Sequence, residues 1–156
     1  MASLHEVLNR QIANFSVLYV KLHHYHWYVN GPAFYTLHAK FEELYNEAAG
    51  YVDELAERLL ALDGRPVSRM SEFLKLATVK EASGTEDADA MVLAIADDFR
   101  KIAAELDEGI RAAESEGDSA TADLLTGIRT NLDKNAWMLR AFAGRPGAPA
   151  ARIRTV

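Results

Sequence analysis

His23–Pro66 reads HHYHWYVNGPAFYTLHAKFEELYNEAAGYVDELAERLLALDGRP, and its punctuation decides the fold class. Asn30-Gly31-Pro32 separates two long apolar-periodic runs: glycine takes the positive φ that ends a helix, and proline cannot continue the ladder. Upstream, Leu8, Ile12, Phe15, Tyr19, Leu22, His26 and Val29 recur at alternating intervals of four and three. That spacing is the stripe of an amphipathic helix packed at a shallow angle, and it predicts a first helix from about Ser3 to Asn30. Downstream, Phe34, Leu37, Phe41, Leu44, Ala48, Val52, Leu55, Leu59 and Leu62 predict a second helix from about Ala33 to Leu62. Asp63-Gly64-Arg65-Pro66 ends it by the same glycine-then-proline chemistry.

Working outward, residues 67–84 are the least regular stretch, and the apolar cluster Met70, Phe73, Leu74 and Leu76 predicts one brief helix inside a long crossover. A third long helix is expected near Thr85, whose hydroxyl can cap, with Glu86 and Asp87 favourable at the positive end of the helix dipole. Its stripe is Val92, Ile95, Phe99, Ile102, Leu106 and Ile110, up to Gly117. Asp118 or Ser119 caps a fourth, with Leu125, Ile128, Leu132, Ala136, Leu139 and Phe142 inward, ending at Gly144. No strand alternation or hairpin signal interrupts this pattern. The expected fold is all-α: a ferritin-like four-helix bundle with a long crossover, carrying a short helix, between helices 2 and 3. Residues 1–144 form the bundle, and 145–156 a short Arg/Pro/Ala-rich tail.

The composition excludes several function classes. The chain has 156 residues, 49% hydrophobic and 26% charged, enough for one packed domain and incompatible with wholesale disorder. It has no cysteine, which rules out disulfides, thiolate metal sites and a cysteine nucleophile. A formal charge of −6 argues against a general nucleic-acid binder. The N-terminal residues lack the basic and apolar regions of a signal peptide, and no apolar run reaches the length of a membrane span. The expected location is therefore cytoplasmic.

One flank carries chemistry. His26 occupies a stripe position where leucine would be ordinary. The second helix bears His38 and Glu42, then Asp53 and Glu57, two pairs four residues apart that share one flank. Imidazole and carboxylate without thiolate suit iron(II), manganese or zinc, and carboxylates stabilise oxidised iron. His38 and Asp53 are fifteen residues apart on one helix, about 22 Å at 1.5 Å per residue, and cannot hold one ion within one chain. Two chains meeting antiparallel through this flank would place the histidines of one opposite the acids of the other, giving two identical sites across a two-fold axis. An ordinary solvated acidic face is the competing reading of the acid pair.

These residues carry a resemblance. His26-Trp27, Gly31-Pro32, His38 twelve residues after His26, DELAER at Asp53–Arg58, and DKNAWMLRAF near the end resemble the signature of the Dps family of mini-ferritins. Asn135 stands where family members often carry His, and His24 where Asn is common; neither departure touches the motif ligands. The resemblance implies a homo-dodecameric shell with an iron-oxidising centre at each two-fold interface. His26 and His38 would come from one chain, Asp53 and Glu57 from its neighbour, with Glu42 close by and Glu57 bridging. It implies a ferroxidase that oxidises Fe(II), preferably with hydrogen peroxide and otherwise with oxygen. Ferric mineral would be stored and DNA shielded from oxidative damage.

Further expectations follow from the family. Trp27 is read as core packing, with a sink for stray oxidising equivalents as the alternative; Trp137 is read as core. The resemblance places an acidic pore at the turn bearing Glu114, Glu116, Asp118 and Asp123, with Asp118 and Asp123 as lining candidates and helix capping as the other role of Asp118. No Lys-rich extension precedes the first helix, and the tail offers only Arg145, Arg152 and Arg154. DNA binding is therefore expected to be weak or absent. A DNA-compacting, nucleoid-associated particle with secondary iron chemistry is the alternative function.

Overall fold

A computed structural model of the chain describes residues 1–145. Five helices follow in order: α1 Leu4–Tyr28, α2 Phe34–Ala61, α3 Met70–Leu76, α4 Ala88–Ser115 and α5 Ser119–Phe142. The long helices pair as two tight hairpins, α1 with α2 and α4 with α5, and α1 also packs on α4. The crossover runs between the hairpins and lays α3 against α1.

The boundaries follow from local chemistry. Ser3 caps α1 in a reciprocal box with Glu6. The helix stops at Tyr28, two residues earlier than the stripe predicted, because Val29 already closes the last turn and Gly31 takes φ +97°. α4 starts later than the pattern predicts. Thr85 does not cap it: its hydroxyl is engaged by Ser83 at 2.8 Å, and the Glu86 carboxylate is drawn back to the Ser83 amide at 2.7 Å. The helix begins only where the Asp87 carboxylate receives the Ala90 amide at 2.8 Å. Asp118, one of the two expected caps, starts α5.

The stripes converge on one core. Leu8, Ile12, Phe15 and Leu22 of α1 meet Leu37, Phe41, Leu44, Leu55 and Leu59 of α2, all at most 1% exposed. The pattern predicts Tyr19 and Phe142 inward and Trp27 and Trp137 in the core, but they are 40%, 46%, 67% and 62% exposed. The four-helix packing leaves these side chains on the outer surface of the single chain.

Polar ties hold the crossover in place. The buried Asn14 carboxamide accepts the Thr78 and Val79 amides at 2.7 and 3.2 Å. The same side chain donates to Glu105 and to Gln11 at 3.0 and 2.9 Å. Lys21 is buried against Asp98 at 2.7 Å and donates to the Lys80 carbonyl at 2.8 Å. Burial pushes the Asp98 carboxyl above its usual range, and the Lys21 contact opposes that shift.

Candidate metal centre

The α1–α2 turn brings His26 and His38 face to face. Their rings stack with centroids 3.7 Å apart and planes at 13°. His26 Nδ1 lies 2.6 Å from the His38 carbonyl, and His38 Nδ1 lies 2.7 Å from the His26 carbonyl. A carbonyl can only accept, so each Nδ1 carries the proton. In the neutral ring Nε2 then keeps its lone pair. Both imidazoles are thus preset in the same tautomer, the arrangement that orients a histidine for metal binding. His26 is 8% exposed, and Phe34 stacks on the outer face of this pair, 5.0 Å from the His38 ring.

Around this pair lies an aromatic layer that sequence reasoning missed. Tyr45 meets the His26 ring edge-on at 5.5 Å, stacks on His23 at 3.7 Å and donates its hydroxyl to Glu42 at 3.2 Å. Burial pushes the Tyr45 phenol above its ordinary value, and the Glu42 charge adds to this. The available signal was the three-residue step from Glu42 to Tyr45, one helical turn. Trp27 lies beyond His23, ring to ring at 5.2 Å.

Asp53 and Glu57 lie on the exposed face of α2 toward its C-terminal end. Among the described residues no three His, Asp or Glu side chains converge into a cation cage. The chain therefore joins the two histidines, sets Glu42 one turn beyond His38, and keeps the acid pair at the other end of the same helix.

At that acid end, Arg58 reaches across to α5. Its Nε donates to the Thr121 hydroxyl at 2.7 Å and its guanidinium to Asp118 at 2.9 Å. Asp118 also receives the Thr121 amide at 3.0 Å and the Thr121 hydroxyl. These Thr121 bonds, then Arg58, hold the Asp118 carboxyl below the usual carboxylate range. Asp118 is thus a helix cap with both oxygens engaged, whereas Asp123, Glu114 and Glu116 are exposed around the α4–α5 turn. The Arg58–Asp118 pair, sixty residues apart, was not legible in the sequence.

Comparison with known proteins places these features in company. A family model described as the ferritin-like domain matches residues 5–146. The chain is 55% identical to General stress protein 20U of Bacillus subtilis over 139 residues, covering 89% of this chain and 96% of that protein. It is 53% identical to DNA protection during starvation protein 2 of Bacillus anthracis, covering 88% and 94%. The fold matches the crystal structure of a Dps protein from Bacillus brevis with a TM-score of 0.88 and 50% identity, covering 89% and 93%. The match to Dps from Staphylococcus aureus has the same TM-score at 44% identity, covering 94% and 96%.

Proposed function

Because the chain belongs to the Dps proteins of the ferritin-like family, we propose that it is a ferroxidase and iron-storage shell whose iron sites form between two subunits. Iron is the substrate and cargo. The observation that carries this reading is the reciprocal His26–His38 pair, in which each Nδ1 is committed to the other residue's carbonyl and each Nε2 is left free. Stacked histidines so fixed serve no core-packing purpose that leucine would not serve better.

In the proposed site, His26 and His38 face Asp53 and Glu57 of a second copy across a two-fold axis, and Glu42 lies beside them. A homo-dodecamer with such an axis carries this site twice at each paired interface. Two Fe(II) ions held together each give one electron to hydrogen peroxide, whose O–O bond breaks to yield water-level oxygen. Paired oxidation releases no hydroxyl radical, and oxygen is the slower oxidant. Hydrolysis of the ferric product releases protons and leaves oxide-hydroxide for storage. Asp53 and Glu57 offset the rising metal charge, with Glu57 as the bridge. Trp27, exposed and next to the His23 ring that stacks on Tyr45, takes up stray oxidising equivalents.

Asp123 supplies cation attraction at the α4–α5 turn, and Asp118 joins it as a pore residue only where Arg58 releases it. The names of the relatives speak of DNA protection, and a shell that consumes Fe(II) and peroxide achieves that without touching DNA. The protein acts in the cytoplasm; no described helix is long and apolar enough to cross a membrane. Of the tail arginines, Arg152 and Arg154 lie outside the described residues, as does nearly all of the 145–156 segment. The test is stopped-flow ferric absorbance after Fe(II) is loaded anaerobically and peroxide or air is added. Acceleration over buffer, faster with peroxide, is expected; rates equal to buffer with both oxidants contradict the reading.

A further inference from the structure

The α2–α5 seam is bridged by long polar side chains, in contrast to the tight α1–α2 and α4–α5 hairpins. Midway along it, Asn131 donates to Tyr51 at 2.5 Å and to Glu47 at 3.1 Å. At the C-terminal end of α2 the bridge is Arg58, which grips Asp118 and Thr121 together. Arg58 follows Glu57 directly and lies in the last turn of α2, whose terminal carbonyls are closed by the Leu62, Asp63 and Gly64 amides, so Arg58 adds the side-chain tie of this turn to α5. Its grip is two-pronged: one nitrogen goes to a hydroxyl and another to a carboxylate, which fixes the guanidinium plane. Thr121 is fully buried and is itself bonded to Asp118, so the anchor is rigid.

We infer that Arg58 is a positioning residue for the acid half of the iron site: latched to Asp118 and Thr121, it fixes the rotation of the final turns of α2 and so presets Glu57 and Asp53 toward the partner subunit. The inference rests on the intersubunit reading above. Its consequence has a sign that simple electrostatics does not share. A guanidinium beside Glu57 repels cations, so removing it should tighten metal binding if charge were its only influence. The latch demands the opposite, because freeing the turn disperses the two carboxylates.

The experiment uses the assembled protein, checked by size, with Co(II) as an air-stable, coloured stand-in for Fe(II). Arg58→Gln and Asp118→Asn are each titrated with Co(II) by ligand-field absorption; asparagine keeps the helix cap, so the second variant tests the latch with α5 intact. Each is expected to weaken Co(II) binding by about ten-fold, the scale of losing an outer partner of a metal site, and to shift its absorption bands. The double variant is expected to be no weaker than either single one, and Arg58→Lys to recover part of the loss. Thr121→Val, which preserves buried volume, supplies a second route should Arg58→Gln fail to assemble, and is expected to weaken binding in the same direction. A purely structural role would move the unfolding midpoint and leave the Co(II) bands where they are. Unchanged bands with equal or tighter Co(II) binding in Arg58→Gln and Asp118→Asn would overturn the latch, while loss of Co(II) in His26→Ala shows the site itself to stand. Wild-type Co(II) binding in both His26→Ala and Asp53→Ala/Glu57→Ala would overturn the site reading and the latch with it.

Discussion

Replacing Asn14 by leucine should loosen the crossover at a cost that can be worked from its bonds. The carboxamide oxygen receives two backbone amides, Thr78 at 2.7 Å and Val79 at 3.2 Å, and its nitrogen donates to Glu105 at 3.0 Å. Leucine copies the branching at Cγ but is larger and pairs with none of them, so any crowding adds to the loss. Val79 is 5% exposed, so water cannot replace the lost acceptor, and the orphaned amide costs about 1–3 kcal/mol. Thr78 is half-buried and loses less, which brings the expected destabilisation to about 2–4 kcal/mol. In urea, at one fixed protein concentration, that is a midpoint shift of about 1–2 M. Asn14→Asp separates the contributions: it keeps the acceptor for both amides but sets a second carboxylate against Glu105. It should be destabilised at neutral pH and recover as the pH approaches the carboxylate range. Limited proteolysis should cut Asn14→Leu first within residues 66–87, while the long helices persist. A midpoint shift below about 0.5 M for Asn14→Leu would refute the reasoning, since it would mean the two amides find other acceptors.

Four other outcomes are expected. Gly109→Ala should lower stability, because a Cβ there meets Leu125 Cδ1 at 2.8 Å and the stiff Val7 at 2.9 Å; Gly127→Ala, with open space around it, should raise stability by up to about 1 kcal/mol. Thermal unfolding of the two variants distinguishes them. Asp118→Ala should cost about 1 kcal/mol at neutral pH as a lost cap. The folded carboxyl is held below its unfolded value, so this stabilisation is complete above about pH 4 and fades as the pH falls through the folded value; the gap from wild type should close in acid. Duplex DNA binding should be weak at physiological salt, since each subunit carries −6 and each phosphate contact lowers log affinity by about 0.9 per log unit of salt. Deleting residues 145–156 should remove whatever low-salt binding a gel-shift assay detects and leave iron oxidation intact.

The helices were legible because their stripes are long and regular, and the hairpin turns because glycine and proline leave few backbone options. Tyr19 and Phe142, both on their stripes and both exposed, show where that reading fails. A three–four periodicity identifies an apolar face but does not say whether it meets its own core or the outside of the chain. Thr85 failed as a cap because a neighbouring serine took its hydroxyl, a choice made by tertiary competition rather than propensity. His26 and His38 stood out by residue type and spacing, yet their carbonyl partners depend on the path of the Asn30–Pro32 turn. Tyr45 and Arg58 were hidden differently: each looks like ordinary helix surface until the helix packed beside it supplies His23 or Asp118.

The central claim, that histidines of one subunit and acids of another make one iron site, is tested most directly by complementation. His26→Ala/His38→Ala and Asp53→Ala/Glu57→Ala chains are unfolded together, co-assembled in equal amounts, and assayed for peroxide-driven Fe(II) oxidation beside each parent. Each parent alone should be inactive. In mixed shells the histidines and the acids of a site are each intact half the time, so about one quarter of the sites, and of the wild-type rate, should return. No recovery in shells verified to contain both chains would contradict the account and place the site within a single subunit.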